Sequence, residues 1–162
     1  MVQDLFEAHL TVSDLDRAVA FYRDVVGLKL AHLAPEREAA FFWAGGAGRS
    51  VLGLWAAGTS PQRMTLHVAF RTSLADVLAA PRTLSAAGIT PLDFDGRAAD
   101  QPVVLAWMPA ASVFFRDPDG HLLEYAAMLD DRPRPEFGVL PWRMWELLAG
   151  LAPSREPADA SR

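Results

Sequence analysis

The feature that most restricts how this 162-residue sequence can fold is a weak internal repeat. The segments FEAHLTV at 6–12 and MTLHVAF at 64–70 both have the character of a strand with a histidine near its centre. A serine, a helical pattern of apolar residues and a glycine follow each segment in the same order. We therefore expect two similar halves within one compact body.

The helices of the two halves are predicted from their start and stop signals. Ser13 and Ser73 each have an aspartate three positions on, the spacing of a helix cap, and Gly27 and Gly88 are suited to end the helices. Pro81 lies within the second helical pattern. Because proline has no amide hydrogen, we expect that helix to be broken or shortened there.

Three short segments typical of strands follow each helix. They are LKLAHLA, EAAFFWA and SVLGLWA in the first half, and ITPLDF, ASVFFR and HLLEYAA in the second. Each half is therefore predicted to be a βαβββ module, which gives an α+β fold of two tandem modules. Residues 95–111 have no counterpart in the first half, and their length suits a functional loop or lid.

The modules predict one domain at residues 1–129, with a first module at 4–60 and a second at 63–129. Residues 130–150 are predicted to form a linker and a short helix. Its Trp142 and Trp145 would serve either a dimer contact or packing on their own subunit. Residues 151–162 are rich in polar residues and proline, and they are predicted to be a disordered tail.

Charge and composition exclude several classes of function. Fifteen Lys and Arg against twenty Asp and Glu give a net charge of −5, so nucleic acid is not an expected partner. No apolar run approaches the roughly 18 residues that span a bilayer, and the N-terminus lacks the basic flank of a signal peptide. We therefore expect no membrane partner and a cytoplasmic location. With no cysteine, a metal ion would have to be held by His, Asp or Glu.

Two of the four histidines occupy equivalent places in the repeat. His9 and His67 lie in the first strand of each module, and Glu124 lies in the last strand, where burying a carboxylate is costly unless it is paired or bound to metal. A single histidine in a strand is more often an ordinary residue, but a pseudo-twofold axis would bring these three side chains around one metal ion. His32 is expected to be structural, and His121 to face solvent or cap the turn that it follows.

The segments HLTVSDLDRAVAFYRDVVGLKL at 9–30 and FFRDPDGHLLEYA at 114–126, together with His67, resemble the vicinal oxygen chelate superfamily. This superfamily includes glyoxalase I, bleomycin-resistance proteins, fosfomycin-resistance transferases and extradiol dioxygenases, and the resemblance covers residues 4–129. It implies that the modules curl into an open, cupped barrel of mixed strands, and that His9, His67 and Glu124 bind a divalent metal. One scaffold supports different chemistries in this family, so the resemblance implies no single reaction.

The resemblance also bears on the pocket. Counting along SVLGLWA makes Gly53 the counterpart of Glu124, and glyoxalase I has a fourth, glutamate ligand there. Thr11 matches a threonine that lines the antibiotic site of the fosfomycin transferases, whereas Phe114 stands where those enzymes have a tyrosine. The candidate pocket residues are Thr11, Trp55, Thr65, Trp107 and Phe114.

We therefore expect a metal-dependent enzyme that acts on a small substrate chelated through two adjacent oxygens, with lyase or isomerase, dioxygenase or thiol-transferase chemistry. The metal would be Fe, Mn, Zn or Ni. No general base is identified, and Glu7, on the same strand face as His9, is a weak candidate that is more often a solvated residue. The alternative is a non-catalytic protein that sequesters an antibiotic or an aromatic metabolite. A homodimer is expected in either case.

Overall fold

The computed structural model describes residues 6–57 and 65–150 of the chain. The first half contains β1 (Glu7–Val12), α1 (Leu15–Asp24), β2 (Lys29–Ala34), β3 (Ala39–Ala44) and β4 (Ser50–Ala56). The second half contains β5 (His67–Arg71), α2 (Leu74–Ala86), β6 (Val103–Leu105), β7 (Ala110–Arg116) and β8 (Leu122–Met128), and β9 (Val139–Pro141) and α3 (Trp142–Gly150) follow. The predicted α+β fold of two βαβββ units with a short C-terminal helix is confirmed.

The two sheets have the same internal order. The first runs β1-β4-β3-β2 and the second β5-β8-β7-β6, with β9 added at its edge. In each sheet the first strand of the module pairs in parallel with the last one, and the other pairs are antiparallel. Side chains from the two ends of each module therefore lie next to each other.

The second sheet differs from the prediction in two places. The segment at 89–94 is not a strand, because only Leu92 forms isolated bridges, to Ala98 and Phe114. The strand β6 lies instead within the predicted loop at 95–111, and β9 within the predicted linker. Pro91 has no amide hydrogen to donate to a neighbouring strand, which disfavours a strand at 89–94. All three residues of β6 are buried, so this segment lacks the alternation of apolar and polar residues that would predict a strand.

The helix signals are partly confirmed. Ser73 caps α2 by accepting a hydrogen bond from the Asp76 amide at 3.1 Å. In α1 the cap is Asp14 rather than Ser13, because the Ser13 hydroxyl is engaged by another part of the chain. The expected break at Pro81 is absent from α2, which continues through it to Ala86 with the proline ring buried in the core. Burial of the ring offsets part of the cost of the missing hydrogen bond.

The apolar core lies between the helices and one face of each sheet. It joins both halves, and its largest fully buried side chains include Tyr22, Phe42, Phe115 and Leu123. In β1 the core residues Leu10 and Val12 alternate with His9 and Thr11. Residues at the alternating positions therefore lie on the opposite side of the sheet, which we call the open face.

The turn at 117–121 fastens the second half to the first. The Tyr22 hydroxyl on α1 donates to Asp117 Oδ2 at 2.9 Å, and both side chains are buried. Burial and the negative charge of Asp117 raise the pKa of Tyr22, so the phenol stays a neutral donor. Because these residues are 95 positions apart, the bond fixes the packing of one half on the other.

His121 belongs to the same junction, and the expectation that it faces solvent or caps its turn is wrong. It is 1% exposed. Its Nδ1 accepts from the Leu66 amide at 3.1 Å, and its Nε2 lies 2.8 Å from the Thr11 carbonyl. Since Nδ1 is the acceptor, Nε2 carries the proton and donates to that carbonyl. A histidine after a tight turn thus links the first strands of the two modules.

Asp119 makes the third contact of the junction. Its Oδ1 accepts from the Ser13 amide at 2.8 Å, from the Ser13 hydroxyl, and from Arg17 at 3.3 Å. Burial opposes ionisation of Asp119, but the hydrogen bonds from Ser13 and the charge of Arg17 outweigh it and lower its pKa. The ionised carboxylate therefore stabilises the fold.

The C-terminal helix packs on its own subunit. Trp145 is 3% exposed and lies against Val104, Ala106 and Leu140. Its indole N–H donates to Asp131 at 3.3 Å. The predicted tail at 151–162 lies outside the described residues. None of the helices in the described chain is long and apolar enough to cross a membrane.

We expect Asp119→Asn to lower the free energy of unfolding at neutral pH by about 1.5–3 kcal/mol, the range for hydrogen bonds to a charged group. Because the pKa of Asp119 is lowered in the folded chain, its contribution is complete above the unfolded value and disappears as pH falls through the folded value. Urea denaturation at neutral and strongly acid pH measures both effects. Asp95→Asn, in an exposed ion pair with Arg97, is the control and is expected to change little at either pH. An Asp119→Asn deficit that does not shrink in acid contradicts the assignment.

Candidate functional site

The open faces of the two sheets carry the polar residues predicted for the site. His9 and Thr11 lie there on β1, and His67 lies there on β5. In β7 and β8 the core residues alternate with Ser112, Phe114 and Glu124, which therefore share the open face with His67.

One group of side chains surrounds the pair of His67 and Glu124, and we call it the His67 cluster (His67, Ser112, Phe114 and Glu124). His67 Nε2 lies 3.1 Å from Glu124 Oε2, and the Ser112 hydroxyl donates to Glu124 Oε1 at 2.6 Å. Glu124 is 6% exposed, whereas the His67 side chain is half-exposed. The ring of Phe114 packs 6.0 Å from that of His67. A buried carboxylate thus lies under an accessible imidazole.

The pair suits two neighbouring ligands of a divalent ion. Ligand atoms about 2.0–2.2 Å from one ion lie about 3 Å apart when their bonds meet near a right angle, and the observed separation of His67 Nε2 and Glu124 Oε2 is 3.1 Å. Ser112 holds the second carboxylate oxygen, as outer partners of metal ligands do. The donor set and its spacing therefore fit part of a metal site.

A second group, which we call the His9 cluster (Glu7, His9, Phe41 and Trp55), lies on the first sheet. The Trp55 indole N–H donates to His9 Nδ1 at 2.7 Å, and His9 Nε2 lies 2.9 Å from Glu7 Oε1. The rings of His9 and Trp55 are nearly parallel, with centroids 5.7 Å apart, and the Phe41 ring meets both edge-on. Both nitrogens of His9 are therefore engaged within its own module.

Gly53 makes room for this arrangement. It lies opposite His9 in the parallel pair of β1 and β4. A Cβ atom at this position would lie 3.3 Å from His9 Cδ2 and from the Phe41 ring. Glycine allows the two rings to lie close to the strand.

The strand register shows which residue each histidine meets across its parallel strand pair. In the second module His67 lies opposite Leu122, and Glu124 is two residues further along β8. In the first module Gly53 lies opposite His9, and Trp55 is two residues further along β4. Local periodicity does not reveal these contacts, because register depends on how the strands pair. Each histidine thus contacts the side chain at the corresponding position, a carboxylate in one module and an indole in the other.

The three predicted metal ligands are not all brought together. Within residues 6–57 and 65–150, no group of three His, Asp or Glu side chains is placed to hold a metal ion. His67 and Glu124 are in contact, but the polar partners of His9 are Glu7 and Trp55. One copy of the described chain therefore presents two of the predicted ligands as a pair and the third in a separate cluster.

The predicted pocket residues lie in different surroundings. Phe114 is in the His67 cluster and Trp55 in the His9 cluster. Thr11 lies opposite Trp55 in the β1–β4 pair, and its carbonyl accepts from His121. Thr65 precedes β5 and lies beside the turn at Gly120, while Trp107 is 56% exposed after β6.

Sequence reasoning missed three residues. Ser112 belongs to the His67 cluster, Phe41 belongs to the His9 cluster, and Phe94 packs beside the His67 cluster. Ser112 and Phe41 share a strand face with predicted site residues, so the alternation of ASVFFR and EAAFFWA was the available signal. Phe94 packs edge-on against Phe114 with ring centroids 6.1 Å apart. Its segment at 89–94 was predicted to be a strand, and the loop that it forms instead places the ring against Phe114.

Comparison with known proteins extends the resemblance. The sequence model of the Glyoxalase/Bleomycin resistance protein/Dioxygenase superfamily matches residues 4–125. An integron cassette protein from the mobile metagenome of the Halifax Harbour sewage outfall is 26% identical, with a TM-score of 0.66 over 78% of this chain and 100% of that chain. Lactoylglutathione lyase from Agrobacterium tumefaciens is 25% identical, with a TM-score of 0.61 over 78% and 94%. The fosfomycin resistance protein from Listeria monocytogenes has the same fold at 21% identity, with a TM-score of 0.58 over 80% and 94%.

We expect Ser112→Ala to destabilise the protein by about 1–3 kcal/mol, because it leaves a buried carboxylate oxygen of Glu124 without its donor. Chemical denaturation of the metal-free protein measures this change. Ser85→Ala, at an exposed position on α2, is the matched control and is expected to have an effect near zero. Equal stability of the Ser112 variant and wild type would show that the hydroxyl does not support Glu124.

Proposed function

Since the chain belongs to the Glyoxalase/Bleomycin resistance protein/Dioxygenase superfamily, we propose that it is a metal-dependent enzyme acting on a small substrate. The substrate would offer two adjacent oxygens to a divalent metal ion, and the reaction would be of the lyase or isomerase, dioxygenase or thiol-transferase type. The proposal includes a cytoplasmic homodimer. It is carried by one observation, the contact of His67 with the buried Glu124 at 3.1 Å.

His67 and Glu124 would hold the ion, and Ser112 would keep the carboxylate oriented. An imidazole and a carboxylate suit Fe, Mn, Zn and Ni alike, so the metal is proposed only as one of these. When bound, the ion would supply Lewis-acid stabilisation of negative charge that develops on the chelating oxygens. Phe114 would form an apolar wall on one side of the His67 ring.

His9 is proposed as the third ligand, contributed by a second copy of the chain. His9 is not grouped with His67 and Glu124 in one described chain, and its side chain is 43% exposed on the open face of its sheet. A half-exposed imidazole at this position is accessible to a neighbouring subunit. The homodimer would then be needed to complete the site. Glu7, which contacts His9, would be carried to the same place as the candidate base.

A non-catalytic binding protein is the second candidate. The observation that favours it is the aromatic surface of the His9 cluster, in which Phe41 and Trp55 meet at right angles beside an accessible imidazole. Such a surface suits the flat face of an aromatic antibiotic or metabolite. The protein would then need no metal to retain its ligand.

We expect His67→Ala and Glu124→Gln each to reduce divalent metal binding by at least about 10-fold, because each removes a ligand. The measurement is the metal content of purified protein, followed by titration of the metal-free protein with Mn²⁺, Zn²⁺ and Ni²⁺, and with Fe²⁺ under anaerobic conditions. Asp24→Asn, which removes an exposed carboxylate paired with Arg23 outside both clusters, is the control and should retain wild-type binding. Absence of metal binding in the wild type favours the non-catalytic candidate.

We expect a mixture of His9→Ala and His67→Ala subunits to regain metal binding that neither variant shows alone. In a mixed dimer one of the two shared sites is intact, so random reassociation restores about one quarter of the wild-type sites. Metal titration after unfolding and refolding the mixture tests this, and each variant refolded alone is the control. If the mixture binds no more than the variants alone, His9 does not come from a second copy.

A further inference from the structure

The hydrogen bond between Trp55 and His9 fixes where the imidazole carries its proton. An indole N–H is a donor only, so His9 Nδ1, 2.7 Å away, has to accept. The proton of the neutral ring is then on Nε2, and Nε2 donates to Glu7 Oε1 at 2.9 Å. The two contacts agree on one tautomer.

The ring orientation is fixed by the same partners. Turning the imidazole over would place carbon atoms against the Trp55 N–H and the Glu7 carboxylate, and both hydrogen bonds would be lost. The in-plane hydrogen bond from Trp55 and the edge contact with Phe41 hold the ring plane, and Gly53 leaves the space it needs. The cluster is therefore specific for one orientation and one tautomer.

This tautomer withholds Nε2 from a metal ion. A metal-bound nitrogen uses its lone pair, and a neutral imidazole that offers Nε2 carries its proton on Nδ1. That proton would point at the Trp55 N–H, and two donors cannot share a hydrogen bond. His9 can ligate through Nε2 only after the contacts with Trp55 and Glu7 are broken.

We infer that Trp55 is a positioning residue that holds His9 in the Nε2–H tautomer, so that a metal ion gains His9 only at the expense of the Trp55–His9 hydrogen bond. On metal binding, the proton of Nε2 would move to Nδ1 through solvent, with no net change in the protons on the ring. The claim about the His9 tautomer concerns the metal-free protein alone, and we call it the metal-free half of the inference. The claim that a metal ion competes with the Trp55–His9 hydrogen bond rests on the proposed function, and we call it the metal-dependent half.

The metal-free half is tested by ¹⁵N NMR of histidine side chains in protein stripped of metal. We expect His9 to show an unprotonated Nδ1 and a protonated Nε2. Trp55→Phe keeps an aromatic ring but removes the donor to Nδ1, and Glu7→Ala removes the acceptor at Nε2. We expect His9 to become a mixture of both tautomers when the two changes are combined. In Glu7→Ala alone, where Trp55 still donates to Nδ1, we expect the Nε2–H form to persist. Trp107→Phe, outside the His9 cluster, is the matched control and should leave His9 unchanged. A His9 that carries its proton on Nδ1 in the wild type overturns the inference.

The metal-dependent half is tested by titrating the same proteins with Zn²⁺. Loss of one competing hydrogen bond should make Trp55→Phe bind Zn²⁺ about 2- to 10-fold more tightly than wild type. Combining Trp55→Phe with His9→Ala should abolish the gain. If the tautomer is as expected but no variant binds metal, the proposed function fails and the role of Trp55 stands. If wild type and Trp55→Phe bind Zn²⁺ equally, Trp55 does not control access to His9.

Discussion

The arrangement of the whole molecule depends on the turn at 117–121, where the second module is bonded to the first. Asp117 is hydrogen-bonded to Tyr22 on α1, Asp119 to Ser13 before α1, and His121 to Thr11 on β1. Tyr22, which donates one of these bonds, also belongs to the core that both sheets share. Apolar burial supplies most of the stabilisation, but it has no direction, and the polar turn selects one relative placement of the modules.

The same constraint leaves the open faces of both sheets available for chemistry. Alternation along each strand sends apolar residues into the shared core, so polar residues at the intervening positions collect on the other side. The two modules use equivalent positions differently. A carboxylate contacts His67, whereas an indole contacts His9. The two modules therefore share a backbone plan, whereas the contacts of their two histidines differ.

Much of the fold was predictable, because its signals are local. The Ser73 cap, the left-handed Gly27 and Gly88, and the alternating strands each depend on neighbours within a few residues. The strand β6 and the true role of Ser13 were not predictable. A buried strand has no alternation, and the partner of Ser13 lies 106 residues away.

The sequence by itself determined the two-module plan, the family and the identity of the polar residues available for a site. Only the tertiary structure decided that Gly53 lies opposite His9 while Leu122 lies opposite His67, and that His121 is buried at the junction. It also decided that His67 meets Glu124 while His9 contacts Glu7 and Trp55. The physical reason is that strand register and module packing join residues distant in the chain, and such pairings leave no trace in local periodicity.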